Sequence, residues 1–183
     1  MNREEALQIL RKNLKNKNLV NHCIAAEVVM KRLAQHFGED EEKWALAGLL
    51  HDIDYDDTKD NPELHSIEGA KMLAEMGLPE DVVYAVKVHN ERHGLPRTSL
   101  MDKALYATDP TTGLIVAGAL IKHEKKLSAI DVSFLVNRMN EKSFARGANR
   151  EQIRSCTELG LSLEEFLSLS LEAMQGASDQ LGL

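Results

Sequence analysis

From Arg3 to Met174 the apolar residues of this chain return at intervals of three and four, and the strict alternation of a half-buried strand is nearly absent. A chain patterned this way hides one stripe of each helix against its neighbours, so the expectation is an all-α, single-domain helical bundle. Candidate helices run over 3–15, 19–37, 41–52, 62–77, 79–91, 99–108, 110–123, 131–142, 149–159 and 163–175. The punctuation agrees with them. Gly38 and Gly77 follow helices, and Asn61-Pro62 suits an N-cap with proline in the first turn, as does Pro79. Ser99 with Asp102, and Ser162 with Glu165, have the spacing of capping boxes. Asp109-Pro110 reads as a cap dividing 99–108 from 110–123.

No linker interrupts the pattern, so residues 1–183 are expected to form one unit. Aromatic residues make up only 4% of the chain, which leaves the core to Leu, Val, Ile, Ala and Met. Cys23 and Cys156 stand in apolar or helical contexts without metal-like spacing and read as free thiols of a reducing compartment. The charged start Met1-Asn2-Arg3-Glu4-Glu5 has no signal-peptide core, and no apolar stretch is long enough for a bilayer. The expectation is a cytoplasmic protein with no membrane partner. A net charge of -7 argues against a nucleic-acid surface but not against a small phosphorylated ligand.

The chemistry concentrates in four short segments. The apolar run from Trp44 to Leu50 ends on His51-Asp52, two polar groups that need partners where they stand. His22 shares a helix face with Leu19, Ala25, Ala26, Val29 and Leu33; His89 shares one with Val82, Ala85 and Val86. His65 lies on a face with Gly69, Met72 and Met76, and the glycine permits a close approach. Singly, His22, His65 and His89 each read as a satisfied core residue and Asp109 as a helix cap, while His51-Asp52 is harder to explain that way. Jointly, His22, His51, Asp52, His65, His89 and Asp109 read as one metal site between helices.

Asp54, Asp56, Asp57 and Asp60 form an acidic loop, mostly solvated, in which Asp56 is near enough to His51-Asp52 to carry a proton. Lys71, Arg92, His93, Arg97 and Lys103 flank the motif segments as candidate substrate-binding residues, although each alone reads as a surface group. Residues 131–183 offer no recognisable chemistry. Leu163, Phe166, Leu167 and Leu171 share a face there that serves either packing on the bundle or a homodimer contact.

The order Asn21-His22, Ala45–Asp52, Leu64–Ala70, Val86–His89 and Tyr106–Asp109 resembles the HD superfamily of metal-dependent phosphohydrolases over roughly residues 19–122. The resemblance implies that Asp52 bridges two divalent transition metals and is central to catalysis. It places His22, His51 and Asp109 on one metal, and His65 and His89 on the other. Iron or manganese is favoured, with zinc and nickel admissible. Ile53-Asp54-Tyr55 and His89-Asn90 depart from the cyclic dinucleotide phosphodiesterases of that superfamily, while Leu64–Asp109 is closer to its bacterial diadenosine tetraphosphate hydrolases. The expected function is hydrolysis of a small phosphoester or nucleotide. The alternatives are an HD-fold di-iron oxygenase and a metal-bound signalling or binding module without turnover.

Overall fold

A computed structural model describes all of residues 1–183 and contains helices, turns and no strand. Eleven α-helices follow one another: α1 (Arg3–Asn13), α2 (Lys17–Phe37), α3 (Glu41–Leu50), α4 (Tyr55–Thr58), α5 (Ile67–Glu75), α6 (Glu80–Val88), α7 (Leu100–Leu120), α8 (Val132–Met139), α9 (Arg150–Arg154), α10 (Leu163–Gly176) and α11 (Ser178–Leu181). None is long and apolar enough to cross a membrane. The local signals explain most boundaries. Ser99 and Ser162 close capping boxes with Asp102 and Glu165. Gly38 ends α2 in the left-handed region at φ 70°, where a side chain would be strained.

The pair α2 and α3 forms the centre. Nearly every residue of α3 from Trp44 to Leu50 is buried or half-buried, so this helix is surrounded on all sides. It reaches α2 so closely that a Cβ added at Gly48 would sit 2.6 Å from the Ala26 carbonyl oxygen and 2.8 Å from the Glu27 nitrogen. Both obstacles are backbone, which cannot swing aside. Phe166, Leu167 and Leu171 of α10 bury themselves in the same core as Leu33 and Met30, so the C-terminal face packs on the bundle. Each such side chain contributes about 1.5–3 kcal/mol when fully removed from water. The two cysteines are free and buried.

Several boundaries differ from expectation: a short helix, α4, stands in the acidic loop, the expected 131–142 and 149–159 shorten to α8 and α9, and two further differences bear on the site. Asp109-Pro110 does not divide two helices, because α7 runs unbroken from Leu100 to Leu120 with Pro110 inside it. A proline there removes the N–H that would bond the carbonyl four residues back, at Tyr106. That carbonyl instead accepts from Gln152 Nε2 of α9 at 2.8 Å, so a tertiary bond replaces the missing helical one. The second difference is at 62–77. Asn61-Pro62 opens a run of turns, and α5 starts only at Ile67, after Ser66 in the left-handed region at φ 70°.

Gly48→Ala should therefore lower unfolding free energy by about 2–3 kcal/mol or more, since backbone must move to admit one methyl group. Urea denaturation of both proteins checks it; an unchanged midpoint would mean that α2 and α3 are not in this contact.

Candidate metal centre

The helices deliver their polar residues to one place by a simple device. His51 and His89 are the residues just past the ends of α3 and α6, where helix carbonyls lack partners. Each imidazole turns back on its own helix: His51 Nδ1–H donates to the Gly48 carbonyl at 2.7 Å, and His89 Nδ1–H to the Val86 carbonyl at 2.6 Å. His22, inside α2, donates through Nδ1 to Thr112 Oγ1 at 2.9 Å; that hydroxyl spends its own proton on the Asp109 carbonyl at 2.9 Å and so must accept. His65 turns its Nδ1 to Asp54 Oδ1 at 3.0 Å. With every Nδ1 engaged, all four rings present Nε2 inward.

The inward atoms fall into two groups joined by one carboxylate. Asp52 Oδ2 lies 3.6 Å from His22 Nε2 and 3.5 Å from His51 Nε2, while Asp109 Oδ1 lies 3.1 Å from His22 Nε2 and 3.9 Å from His51 Nε2. On the other side, Asp52 Oδ1 is 3.3 Å from His65 Nε2 and 3.6 Å from His89 Nε2. Ligands about 2.1 Å from one cation, at tetrahedral or octahedral angles, stand about 3.0–3.4 Å apart. His22, His51 and Asp52 form one group and Asp52, His65 and His89 another whose ligand atoms are near enough to hold a divalent metal, with shifts of a few tenths of an ångström closing the longer separations. His22 Nε2 and His51 Nε2 reinforce the point. They face one another at 3.1 Å, a separation that a shared proton or a metal cation between the two nitrogens would satisfy.

Electrostatics follow from burial and neighbours. Burial alone would push Asp52 up, but the histidines around it, His51 first, hold it well below the usual carboxylate range. Burial lowers His51. Burial also opposes charge on His65, yet Asp52 and Asp54 against its two nitrogens hold its pKa up at about 10. His22 is raised because Asp109, and then Asp52, outweigh the burial.

Asp54 is the functional residue that the reading of an acidic loop overlooked. Its side chain is 1% exposed, and besides orienting His65 it accepts the backbone N–H of Ser66 at 2.8 Å and of Gly69 at 2.9 Å. It thus caps α5 from outside that helix. The closeness that Gly69 permits is to this carboxylate, 3.1 Å from where a Cβ would lie. The sequence signal was His-Asp-Ile-Asp at the end of a buried helix, with Ile53 itself 1% exposed.

Other candidates lie elsewhere. Asp56 accepts the backbone N–H of Lys15 at 2.6 Å, at the turn between α1 and α2. Lys71 pairs with Glu68 at 3.6 Å, Arg92 with Glu63 at 3.0 Å, and the Arg97 guanidinium stacks 3.6 Å above the Tyr106 ring. His93 Nε2 lies 2.7 Å from the His65 carbonyl oxygen and so braces the segment carrying that ligand. Lys103 is half-exposed on α7.

The cluster opens to solvent on one side. The side chains of His22 and Asp109 are 22% and 31% exposed, against 0% for His51. Asp109 lies on two clefts. One, of about 180 Å³, is lined by His65, His89, Asn90, Glu91 and Gln152. The other, of about 330 Å³, is lined by His22, Gly113 and the loop from Ala145 to Ala148. Gln152 and that loop belong to the region in which the sequence showed no chemistry.

An all-helical bundle with paired histidine and aspartate groups of this kind is one whose residues could hold metal ions. The HD domain family model matches residues 19–156, and the chain belongs to that family, within the superfamily of metal-dependent phosphohydrolases. Similar proteins include ribonuclease Y of Lawsonia intracellularis, 32% identical over 83 residues, and ribonuclease Y of Mycoplasma genitalium, 32% identical over 76 residues. These matches cover 45% and 42% of this chain but only 16% of either relative. An uncharacterized protein of Methanocaldococcus jannaschii is 36% identical over 91 residues, 47% of this chain and 52% of that protein. No solved structure matches the chain.

Asp54→Asn keeps the size of the side chain but removes the charge that orients His65. Metal affinity should fall about 10–100-fold, the usual effect of removing a group that holds a ligand in place. A competitive titration with a chromophoric chelator measures it; equal affinities would reduce Asp54 to a helix cap.

Proposed function

We propose that the chain holds two divalent metals and hydrolyses a small phosphoester, with a nucleotide as the preferred substrate class. The observation that carries this reading is the position of Asp52, whose two oxygens address separate histidine groups. His22, His51 and Asp109 would complete one site, and His65 and His89 the other. Cations bound there would polarise a phosphoryl oxygen and lower the pKa of a water molecule.

The protein's part is to position and to select. His51 and His89 are locked by their own helix ends, so the buried side of the cluster does not adapt to what enters. Asp109 and His22 form the accessible side, and the substrate phosphate approaches there. The imidazole and carboxylate set supports iron or manganese first and admits zinc and nickel. A surface with net charge -7 suits a compact phosphorylated molecule better than a long nucleic acid, although the relatives' name, ribonuclease Y, brings short oligoribonucleotides into consideration.

A panel of mononucleotides, dinucleoside polyphosphates, short oligoribonucleotides and a chromogenic phosphoester tests the reading. Manganese-loaded protein should release product without oxygen, and His89→Ala should bind about one metal equivalent fewer with strongly reduced turnover. Oxygen-dependent consumption of an organic substrate with iron only, and no phosphoester turned over anaerobically, would establish the oxygenase chemistry instead. Tight metal binding with no turnover of either kind would favour the binding module.

A further inference from the structure

We propose that Arg146, carried by the loop from Phe144 to Ala148, is the phosphate-binding cation of the cleft beside His22 and Asp109. The inference deepens the hydrolase reading, and rests on it for the cations next to that cleft. Three observations converge on this residue.

The first is placement. Ala145, Arg146, Gly147 and Ala148 line the same cleft as His22 and Asp109. Neither Lys71, Arg92, Arg97 nor Lys103 lines this cleft or the smaller one on the other side of Asp109.

The second is that the charge is uncommitted. Lys71 and Arg92 face glutamates, Arg97 covers a tyrosine ring, and Arg138 pairs with Glu141 at 2.7 Å. Arg146 is exposed and has no carboxylate, ring or hydrogen-bond partner in the protein. A guanidinium offers a planar fork of donors that matches two oxygens of a phosphate at once.

The third is that the loop is built. Arg150 donates to the carbonyls of Phe144, Ala145 and Ala148, with longer contacts to those of Arg138 and Glu141. Ala145 is held in the left-handed region at φ 44°, which a residue with a Cβ avoids unless its surroundings impose it. In a trans peptide the N–H points opposite to the preceding carbonyl. Turning the Phe144 and Ala145 carbonyls onto Arg150 therefore turns the N–H groups of Ala145 and Arg146 away from it. Those two N–H groups, and that of Gly147, have no acceptor in the protein. One arginine thus fixes the loop while the next presents a positive edge: a guanidinium above free backbone donors, a combination suited to an oxyanion.

The phosphate would lie between Arg146 and the metal cluster, with Arg146 taking the oxygens that face away from the metals. Arg146 is then a residue that touches substrate. Arg150 is a positioning residue that acts through the loop.

The test uses the full chain loaded with manganese and inorganic phosphate as the probe. Isothermal titration should show phosphate binding to wild type that weakens by about tenfold or more in Arg146→Ala, the effect of losing a charge-assisted contact. Arg146→Lys should recover only part of it, because an ammonium cannot contact two oxygens as a fork. Manganese content and melting temperature should be unchanged in both variants, which separates lost anion binding from a damaged fold. Equal phosphate affinity in wild type and Arg146→Ala, or no phosphate binding to wild type, overturns the assignment. The phosphoester panel is read separately. Turnover by wild type with an unaffected KM in Arg146→Ala sinks the Arg146 assignment and leaves the hydrolase reading standing. Arg146-dependent phosphate binding without turnover supports the anion site and removes the hydrolase reading.

Discussion

The structure turns on a carboxylate that is almost out of water among four imidazoles. An isolated Asp52 in that position would take up a proton rather than remain charged. It stays ionised because positive or polarisable nitrogens surround it, and those nitrogens come from four separate places in the chain: α2, the end of α3, the turn before α5, and the end of α6. The bundle must bring these together for the charge to be tolerated. The close contact of α2 with α3 at Gly48 and the turning back of His51 onto the same residue's carbonyl are two parts of one solution.

The inner imidazoles, His51 and His89, have their orientation fixed by backbone, which costs no extra side chain and leaves little freedom. His65 is different. Its orientation depends on Asp54, which also starts α5, so this half of the centre and the first turn of that helix stand or fall together. A site built this way has one half set by helix ends and another half set by a charged contact. The second is the half more open to modulation by small changes in sequence.

The helical class and the capping boxes at Ser99 and Ser162 were legible because each depends on short-range spacing, and the inward faces of His22, His65 and His89 followed from the same periodicity. Asp54 was not legible, since it sits among other acidic residues and the partners that bury it, Ser66 and Gly69, lie 12 and 15 residues further on. Local rules made Pro110 a helix start. A bond from α9 overrode them, and nothing in the spacing around Pro110 announces Gln152. The loop at Arg146 was illegible for a related reason: its form comes from the single guanidinium of Arg150, and its significance from a cleft made with residues more than thirty positions away.

Pro110 has a wider consequence for how the molecule is held together. A helix with all its internal bonds satisfied offers neighbours only side chains. By omitting one N–H, Pro110 leaves α7 a main-chain socket one turn before Asp109's own, and Gln152 plugs into it. The C-terminal third is thereby indexed to the backbone beside a candidate ligand and not merely leaned against the bundle by apolar contact. Sliding or rotation of that segment along α7 would have to break this bond first, so the spacing across the cleft is set by a peg rather than by grease.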